Sequence, residues 1–103
     1  MISELVWFDL PPGMSRDEVV AGMREVAPAW RRNPDLIRKT FLYDAANGRS
    51  GALYLWKHRA AAEAAHDAAW RQRIMDRYGS VPALQYFDTP LVVDNALGQT
   101  IEG

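Results

Sequence analysis

At 103 residues the chain is long enough for one domain with a modest core. Its net charge is −1 without a basic block, which excludes a nucleic-acid or anionic-membrane surface, and without cysteine it has no disulfide, thiol catalyst or cysteine metal site. No apolar run approaches the roughly 20 residues of a membrane helix and the N-terminus lacks a signal peptide's basic region, so we expect a cytoplasmic protein.

The first half of the chain predicts a strand, a helix and a second strand. Residues 2–10 are β-branched or aromatic and end at a Pro-Pro-Gly turn. Ser15 and Glu18 have the spacing of a capping box, which opens a helix that we expect to run to about residue 29. A turn then leads into the second strand, over residues 36–43.

The second half predicts another strand, helix and strand, followed by a tail. A hairpin loop with Asn47-Gly48 at its positive-φ positions precedes this half. We expect the strand over 50–56, the helix over 59–78 with Gly79 as its stop, the last strand over 81–91, and the tail over 92–103.

This order, βαββαβ, predicts a single α+β domain over residues 1–103. The expected architecture is a ferredoxin-like sandwich, with a four-stranded antiparallel sheet carrying two helices on one face. The other face of the sheet is left bare, and a bare face must be polar or covered.

Neither face of the sheet is polar, so the sequence favours a homodimer. In the first strand Val6 and Phe8 alternate with Leu5 and Trp7. In the third strand Leu53 and Leu55 alternate with Tyr54 and Trp56. We assign the aliphatic set to the helices, so that Trp7, Tyr54 and Trp56 face a second subunit. The alternative assignment reverses the two faces and leaves the bare face equally apolar.

Taken together, these stretches resemble the YdhR-like mono-oxygenases of the dimeric α+β-barrel superfamily. The similar segments span nearly the whole chain: Leu10-Pro-Pro-Gly13, Ile37-Arg-Lys-Thr-Phe-Leu42, Tyr54-Leu-Trp56, Arg59-Ala-Ala-Ala-Glu-Ala64, Trp70, Tyr78-Gly79 and Tyr86-Phe-Asp-Thr-Pro-Leu-Val-Val-Asp-Asn95. These residues are structural, so the resemblance is specific for the fold. It implies two sheets packed into a barrel across a dimer, with a pocket in each subunit between helices and sheet.

The resemblance also implies a function, as a mono-oxygenase that acts on an aromatic or quinol-type small molecule with dioxygen and without a cofactor. Two alternatives stay open: a non-catalytic small-molecule-binding or stress-related barrel dimer, and a small-lactone isomerase. The chain departs from the family pattern at Ala65-His66, His58 and Asp35. Residues 74–78 lack the proximal His of the haem-degrading branch, so we expect no haem, no other cofactor and no metal.

His66 is the leading candidate for a catalytic residue. It belongs to a row with i+4 spacing that should face the sheet: Ala62, His66, Trp70, Ile74 and Tyr78. A His on such an otherwise apolar row could act as a general base near neutral pH. The competing interpretation is a packed core His bonded to a backbone carbonyl, and His58 is expected to lie near the helix start in solvent.

Aromatic residues supply the candidates for substrate binding, because flat rings stack on flat ligands. The set is Trp7, Tyr43, Tyr54, Trp56, Trp70 and Tyr86. Arg38 and Lys39 point in opposite directions along the second strand, so one of them faces a covered surface. That cation could offset an anionic oxygen of a substrate, or its stem could lie along the sheet with its charge in solvent.

Overall fold

Six strands and three helices follow one another in the computed structural model, which describes residues 1–103. The strands are β1 Ile2–Asp9, β2 Leu36–Asp44, β3 Arg49–Trp56, β4 Ala83–Asp88, β5 Leu91–Asp94 and β6 Gln99–Glu102. The helices are α1 Arg16–Arg31, α2 Arg59–Ala65 and α3 Ala68–Tyr78. None of the three combines the length and the apolar character that crossing a bilayer requires.

The main sheet has four antiparallel strands in the order β2-β3-β1-β4. This order and the helices on one face confirm the predicted ferredoxin-like α+β fold. The buried core lies where the sheet meets the helices, and it is built around Val6, Tyr54, Trp56, Ala62 and Trp70.

The first helix begins and ends close to the predicted positions. The Ser15 hydroxyl accepts from the Glu18 amide at 3.2 Å, as the capping-box spacing predicts. The helix continues to Arg31, two residues beyond the expected end, and Pro28 lies inside it. In the β2–β3 turn only Gly48 takes a positive φ, of 61°, whereas Asn47 does not.

The predicted helix over residues 59–78 is wrong in one respect, because it is broken at His66 and Asp67. His66 ends α2 with φ −103° and ψ 53°, outside the helical region. Asp67 then caps α3, its carboxylate accepting from the Trp70 amide at 2.9 Å. The row nevertheless faces the sheet as expected, since Ala62, His66 and Trp70 are all buried.

The predicted assignment of side chains to the two faces of the sheet is correct in β1 and wrong in β3. Antiparallel partners share a face, and the register pairs Val6 with Ala52 and Glu4 with Tyr54. Tyr54 and Trp56 therefore lie under the helices, where they are 2% and 0% exposed. The bare face carries Trp7 together with Leu53 and Leu55. The physical reason is that the large rings bury more area and that the Trp56 indole finds an acceptor on the helix side.

The end of the chain forms a β-hairpin that the sequence reasoning did not predict. The fourth strand stops at Asp88 instead of residue 91, and β5 and β6 pair with each other in a separate sheet. The turn is built by the Asp94 carboxylate, which accepts from the Leu97 amide, and by Gly98 at φ 64°. A salt bridge of 2.8 Å from Arg38 to Asp94 holds the hairpin beside β2.

Candidate active site

A cavity of about 400 Å³ lies between the helices and the sheet. This volume falls in the range of small-molecule sites in proteins. The residues that line it come from all three helices and from the strands β1, β2 and β3. Most of them are apolar: Val6, Phe8, Met23, Val26, Ala29, Trp30, Phe41, Ala52, Tyr54, Ala65, Trp70, Ile74 and Tyr78. Aromatic rings on opposite walls make the cavity suitable for a flat ligand.

A row of polar side chains crosses the sheet beneath the helices. Strand pairing places Lys39 opposite Tyr54, Tyr54 opposite Glu4, and Glu4 opposite Tyr86. The row thus runs through all four strands. Tyr54 has the cation of Lys39 on one side and the carboxylate of Glu4 on the other. Lys39 and Tyr54 line the cavity, whereas Glu4 and Tyr86 lie beyond its wall.

Lys39 is held among aromatic rings inside the cavity. Its ammonium lies 4.0 Å from the Trp30 ring centre, 4.1 Å from that of Phe41 and 4.6 Å from that of Tyr54. Burial lowers the pKa of Lys39 from its ordinary 10.5 to about 7, and the negative charge of Glu4 partly offsets this effect. The amine can therefore gain or lose a proton near neutral pH, which is the property of a useful acid or base.

The two tyrosines of the row stay protonated across the neutral range. Burial raises the pKa of Tyr86 to about 12, and the nearby Glu4 carboxylate adds to this effect. The pKa of Tyr54 is raised further, again by burial first and by the charge of Glu4 second. Tyr54 therefore offers a hydroxyl donor at the cavity wall rather than a phenolate.

Glu4 is a fully buried carboxylate that binds two side chains of the core. It is 0% exposed. It accepts from the Trp56 indole at 3.0 Å, and the His66 Nδ1 lies 2.8 Å from it. A carboxylate here orients the imidazole, because an ionised Glu4 requires the proton on Nδ1. The other ring nitrogen, Nε2, is buried without a hydrogen-bond partner.

His66, the predicted general base, lies one layer behind the cavity wall. It is 3% exposed and is not among the residues that line the cavity. Its ring centre is 4.1 Å from that of Trp70 and 4.7 Å from that of Tyr54, and both of these rings do line the cavity. His66 can act on a ligand through these two rings, and a direct proton transfer would require one of them to move.

Two of the six predicted substrate-binding aromatics line the cavity, namely Tyr54 and Trp70. Trp56 is buried beneath them, and Tyr43 faces the helix side of β2 without reaching the cavity. The other two lie elsewhere. Trp7 is on the bare face under the Arg49 guanidinium. Tyr86 is on the helix side of the edge strand β4, where it packs under the Arg59 guanidinium.

The residues that the sequence reasoning missed are Glu4 and the ring cage around Lys39. Glu4 shares its strand parity with Val6 and Phe8, so its charge on the covered face was visible in the alternation. Trp30 lies in the last turn of α1 and was not among the predicted site residues. Its place over Lys39 depends on how α1 lies across β2, and no local pattern contains that information.

Two arginines of α3 complete the lining of the cavity. Arg77 forms a salt bridge of 2.8 Å to Glu25, which links α3 to α1. It also lies against Gly22, where an added Cβ would stand 3.1 Å from the guanidinium. Arg73 lines the same cavity and is exposed to solvent, so it marks where the cavity opens. Nowhere do three or more His, Asp or Glu side chains come together as metal ligands would.

No protein-family model and no curated protein matches the chain. Solved structures do. An antibiotic biosynthesis monooxygenase matches with a TM-score of 0.66 at 18% identity, over 86% of this chain and 98% of that one. A variant of SnoaB, a cofactor-independent oxygenase from Streptomyces nogalater, matches with a TM-score of 0.61 at 15% identity, over 85% and 91%. Rv0793 from Mycobacterium tuberculosis matches with a TM-score of 0.62 at 12% identity, over 86% of this chain and 95% of that one. The structural similarity measured by these TM-scores shows the shared ferredoxin-like α+β fold.

Proposed function

We propose that this protein is a cofactor-independent mono-oxygenase that oxidises an aromatic or quinol-type small molecule with dioxygen. The observation that carries the proposal is Lys39, an amine with a pKa of about 7 inside an aromatic cavity of about 400 Å³. The fold shared with SnoaB, itself a cofactor-independent oxygenase, supports it. The sequence resemblance to the YdhR-like mono-oxygenases supports it as well.

In this proposal Lys39 acts as the general base. Its neutral amine takes a proton from the acidic position of a phenol, quinol or anthrone, and the ammonium that forms stabilises the resulting anion. Little reorganisation is needed, because the amine is already placed between the rings of Trp30, Phe41 and Tyr54.

The substrate anion then supplies the electrons for the oxidation. It transfers one electron to dioxygen, and the radical pair combines to a peroxide at the reacting carbon. The Lys39 ammonium gives its proton to this peroxide, which becomes a hydroperoxide. The regenerated amine then takes the remaining hydrogen of the reacting carbon as a proton, while the O–O bond breaks and hydroxide departs. A carbonyl is left, and the proton and the hydroxide leave as water. One oxygen atom enters the product and the other leaves as water, so no external reductant is consumed.

The apolar walls have a separate task, which is to hold the ring system flat and exclude water from the anion. Trp30, Trp70 and Phe41 provide stacking surfaces. The Tyr54 hydroxyl keeps its proton, since burial raises its pKa, and it can donate that hydrogen to the developing oxyanion. Behind this wall, Glu4 and His66 hold the rings of Tyr54 and Trp70 in position.

Oxygen uptake with an anthrone or a quinol tests the proposal. Lys39→Met removes the amine and keeps the length of the side chain, so we expect the rate to fall by roughly 10²–10⁴. Lys57 is the only other lysine and is exposed, which makes Lys57→Met a matched control with an unchanged rate. Full activity of Lys39→Met would remove Lys39 as the base.

His66 is tested in the same assay, because it remains the base that the sequence predicts. His66→Phe keeps an aromatic ring against Trp70 but has no titratable group. If His66 only packs, His66→Phe retains activity while Lys39→Met loses it. If His66 is the base, His66→Phe loses activity while Lys39→Met retains it.

The second candidate function is a non-catalytic small-molecule-binding protein with the same fold. The observation that favours it is the closed environment of His66, which is 3% exposed and outside the cavity lining. In that case a quinol should bind without any oxygen uptake, and both Lys39 and His66 variants should differ from the native protein in affinity alone.

We also propose a homodimer formed through the bare face of the sheet and the neighbouring hairpin. Large apolar side chains are exposed there, with Leu53 45% and Phe87 51% accessible, and Leu91 53% and Val93 65% accessible on β5. Burying such a surface against a second copy would remove it from water.

A further inference from the structure

Every charged side chain that lines the cavity is a cation. The three are Lys39 from the sheet and Arg73 and Arg77 from α3, and no Asp or Glu lines the cavity with them. The chain as a whole has slightly more acidic than basic residues, 13 against 12, so this one-sided charge is a property of the cavity and not of the composition.

Two of the three cations lack a partner in the protein. Arg77 is paired with Glu25 at 2.8 Å. Lys39 has only ring faces around its ammonium, and Arg73 takes part in none of the six salt bridges of the chain. A cation beside low-dielectric walls gains most from a counter-ion when the protein supplies none.

The two unpaired cations occupy different depths of the cavity. Lys39 is half-buried and lies at the sheet, whereas Arg73 is exposed and lies on α3 where the cavity meets solvent. Aromatic side chains from the sheet, α1 and α3, among them Tyr54, Trp30 and Trp70, line the same cavity. A ligand that matches this order has an acidic group at its inner end, a flat ring system in the middle and a permanent anion at its outer end.

We propose that the ligand of this cavity is an aromatic acid, a hydroxylated ring system whose carboxylate is bound by Arg73 while its ring hydroxyl meets Lys39. Naming this ligand as the substrate rests on the proposed mono-oxygenase function. A guanidinium binds a planar carboxylate through two parallel hydrogen bonds, which a single unpaired arginine can provide. A neutral quinol, which the proposed mono-oxygenase function also allows, has no anionic group that could pair with Arg73.

The carboxylate also gives the substrate a defined orientation. An aromatic ring alone can stack in several directions in a cavity with rings on opposite walls. Fixing the outer end at Arg73 presents the hydroxyl end to Lys39, which is the geometry that proton transfer requires.

Binding under anaerobic conditions tests the inference without any turnover. The probes are a hydroxynaphthoic acid, with hydroxyl and carboxylate at opposite ends of the ring system, and the hydroxynaphthamide of the same shape. Their affinities are measured by calorimetry for the native protein, for Arg73→Gln and for Arg71→Gln. Arg71 lies on the same helix but does not line the cavity, so its variant controls for the loss of one positive charge.

We expect the native protein and Arg71→Gln to bind the acid at least about 10-fold more tightly than the amide, since a charge-assisted pair replaces a neutral one. Arg73→Gln should bind the two probes within about 3-fold of each other. Equal affinities in the native protein, or a preference for the acid that survives in Arg73→Gln, would overturn the inference. Urea unfolding shows whether Arg73→Gln is folded, and Arg73→Lys, which keeps the charge, should restore part of the preference.

Oxygen uptake separates this inference from the proposed function. Selective binding of the acid with no oxygen uptake from any hydroxylated aromatic acid would support the ligand class and refute the mono-oxygenase. Oxidation of a neutral quinol as efficiently as of its carboxylated form would support the mono-oxygenase and refute the aromatic acid as its substrate.

Discussion

The charge of Lys39 should make the folded protein less stable at low pH, and Lys39→Met should remove this effect. In the folded protein burial lowers the pKa of this amine from 10.5 to about 7. In the unfolded chain the amine is solvated and has its ordinary pKa. Between these two values the unfolded state binds one more proton than the folded state, so stability must rise with pH in this window.

The magnitude follows from the size of the shift. At about 1.4 kcal/mol per pKa unit, the displacement from 10.5 to about 7 corresponds to a destabilisation of roughly 5 kcal/mol by the charged amine. This destabilisation is fully present below pH of about 7 and is lost as the pH rises to about 10.5. Attraction to the three surrounding rings opposes it by roughly 0.5–2 kcal/mol per site. The sign of the effect is unchanged.

Urea unfolding of the native protein and Lys39→Met at several pH values measures the effect. The free energy of unfolding of Lys39→Met should exceed that of the native protein most at about pH 6.5. The excess should shrink by roughly 3 kcal/mol towards about pH 9.5. Taking the difference between the two proteins cancels the titration of the groups that do not interact with Lys39. Lys57→Met, at an exposed lysine, should show no such dependence.

A difference between Lys39→Met and the native protein that stays constant across this pH range would refute the reasoning. It would mean that Lys39 keeps an ordinary pKa in the folded state, because the ring contacts or water in the cavity stabilise its charge. The same result would remove the physical basis for Lys39 as a general base near neutral pH.

Three further perturbations follow from the same structure. Glu4→Ala should lower the free energy of unfolding by about 3–5 kcal/mol in urea, because it leaves the Trp56 indole and the His66 imidazole buried without their acceptor; a loss below about 1 kcal/mol would show that water replaces the carboxylate. Asp67→Ala should cost about 1 kcal/mol, whereas Asp67→Asn, which can still cap α3, should cost less; equal losses would argue against the cap. In light scattering the native protein should be a dimer at micromolar concentration and Leu53→Glu a monomer, and a native monomer would exclude the bare face as an interface.

The order of the four strands of the main sheet and of the helical segments between them could be predicted from the sequence because it depends on local patterns. Alternation, the Ser15–Glu18 spacing and the glycines at turns act over a few residues, and each reappears in the structure. In the second helical segment one local signal was overlooked, namely a residue that can begin a new helix. Asp67 is a good N-cap residue, and with His66 outside the helical region it divides that segment in two.

The environment of the site was decided by tertiary structure, because each of its properties depends on residues far apart in the chain. Tyr54 and Trp56 face the helices because the β1–β3 register places them on the same face of the sheet as Glu4. Lys39 has an ordinary sequence context, and its lowered pKa arises only where Trp30 of α1 covers it. Periodicity can place a side chain on a face of a strand, but burial, ring contacts and unpaired charge are fixed by what packs against that face.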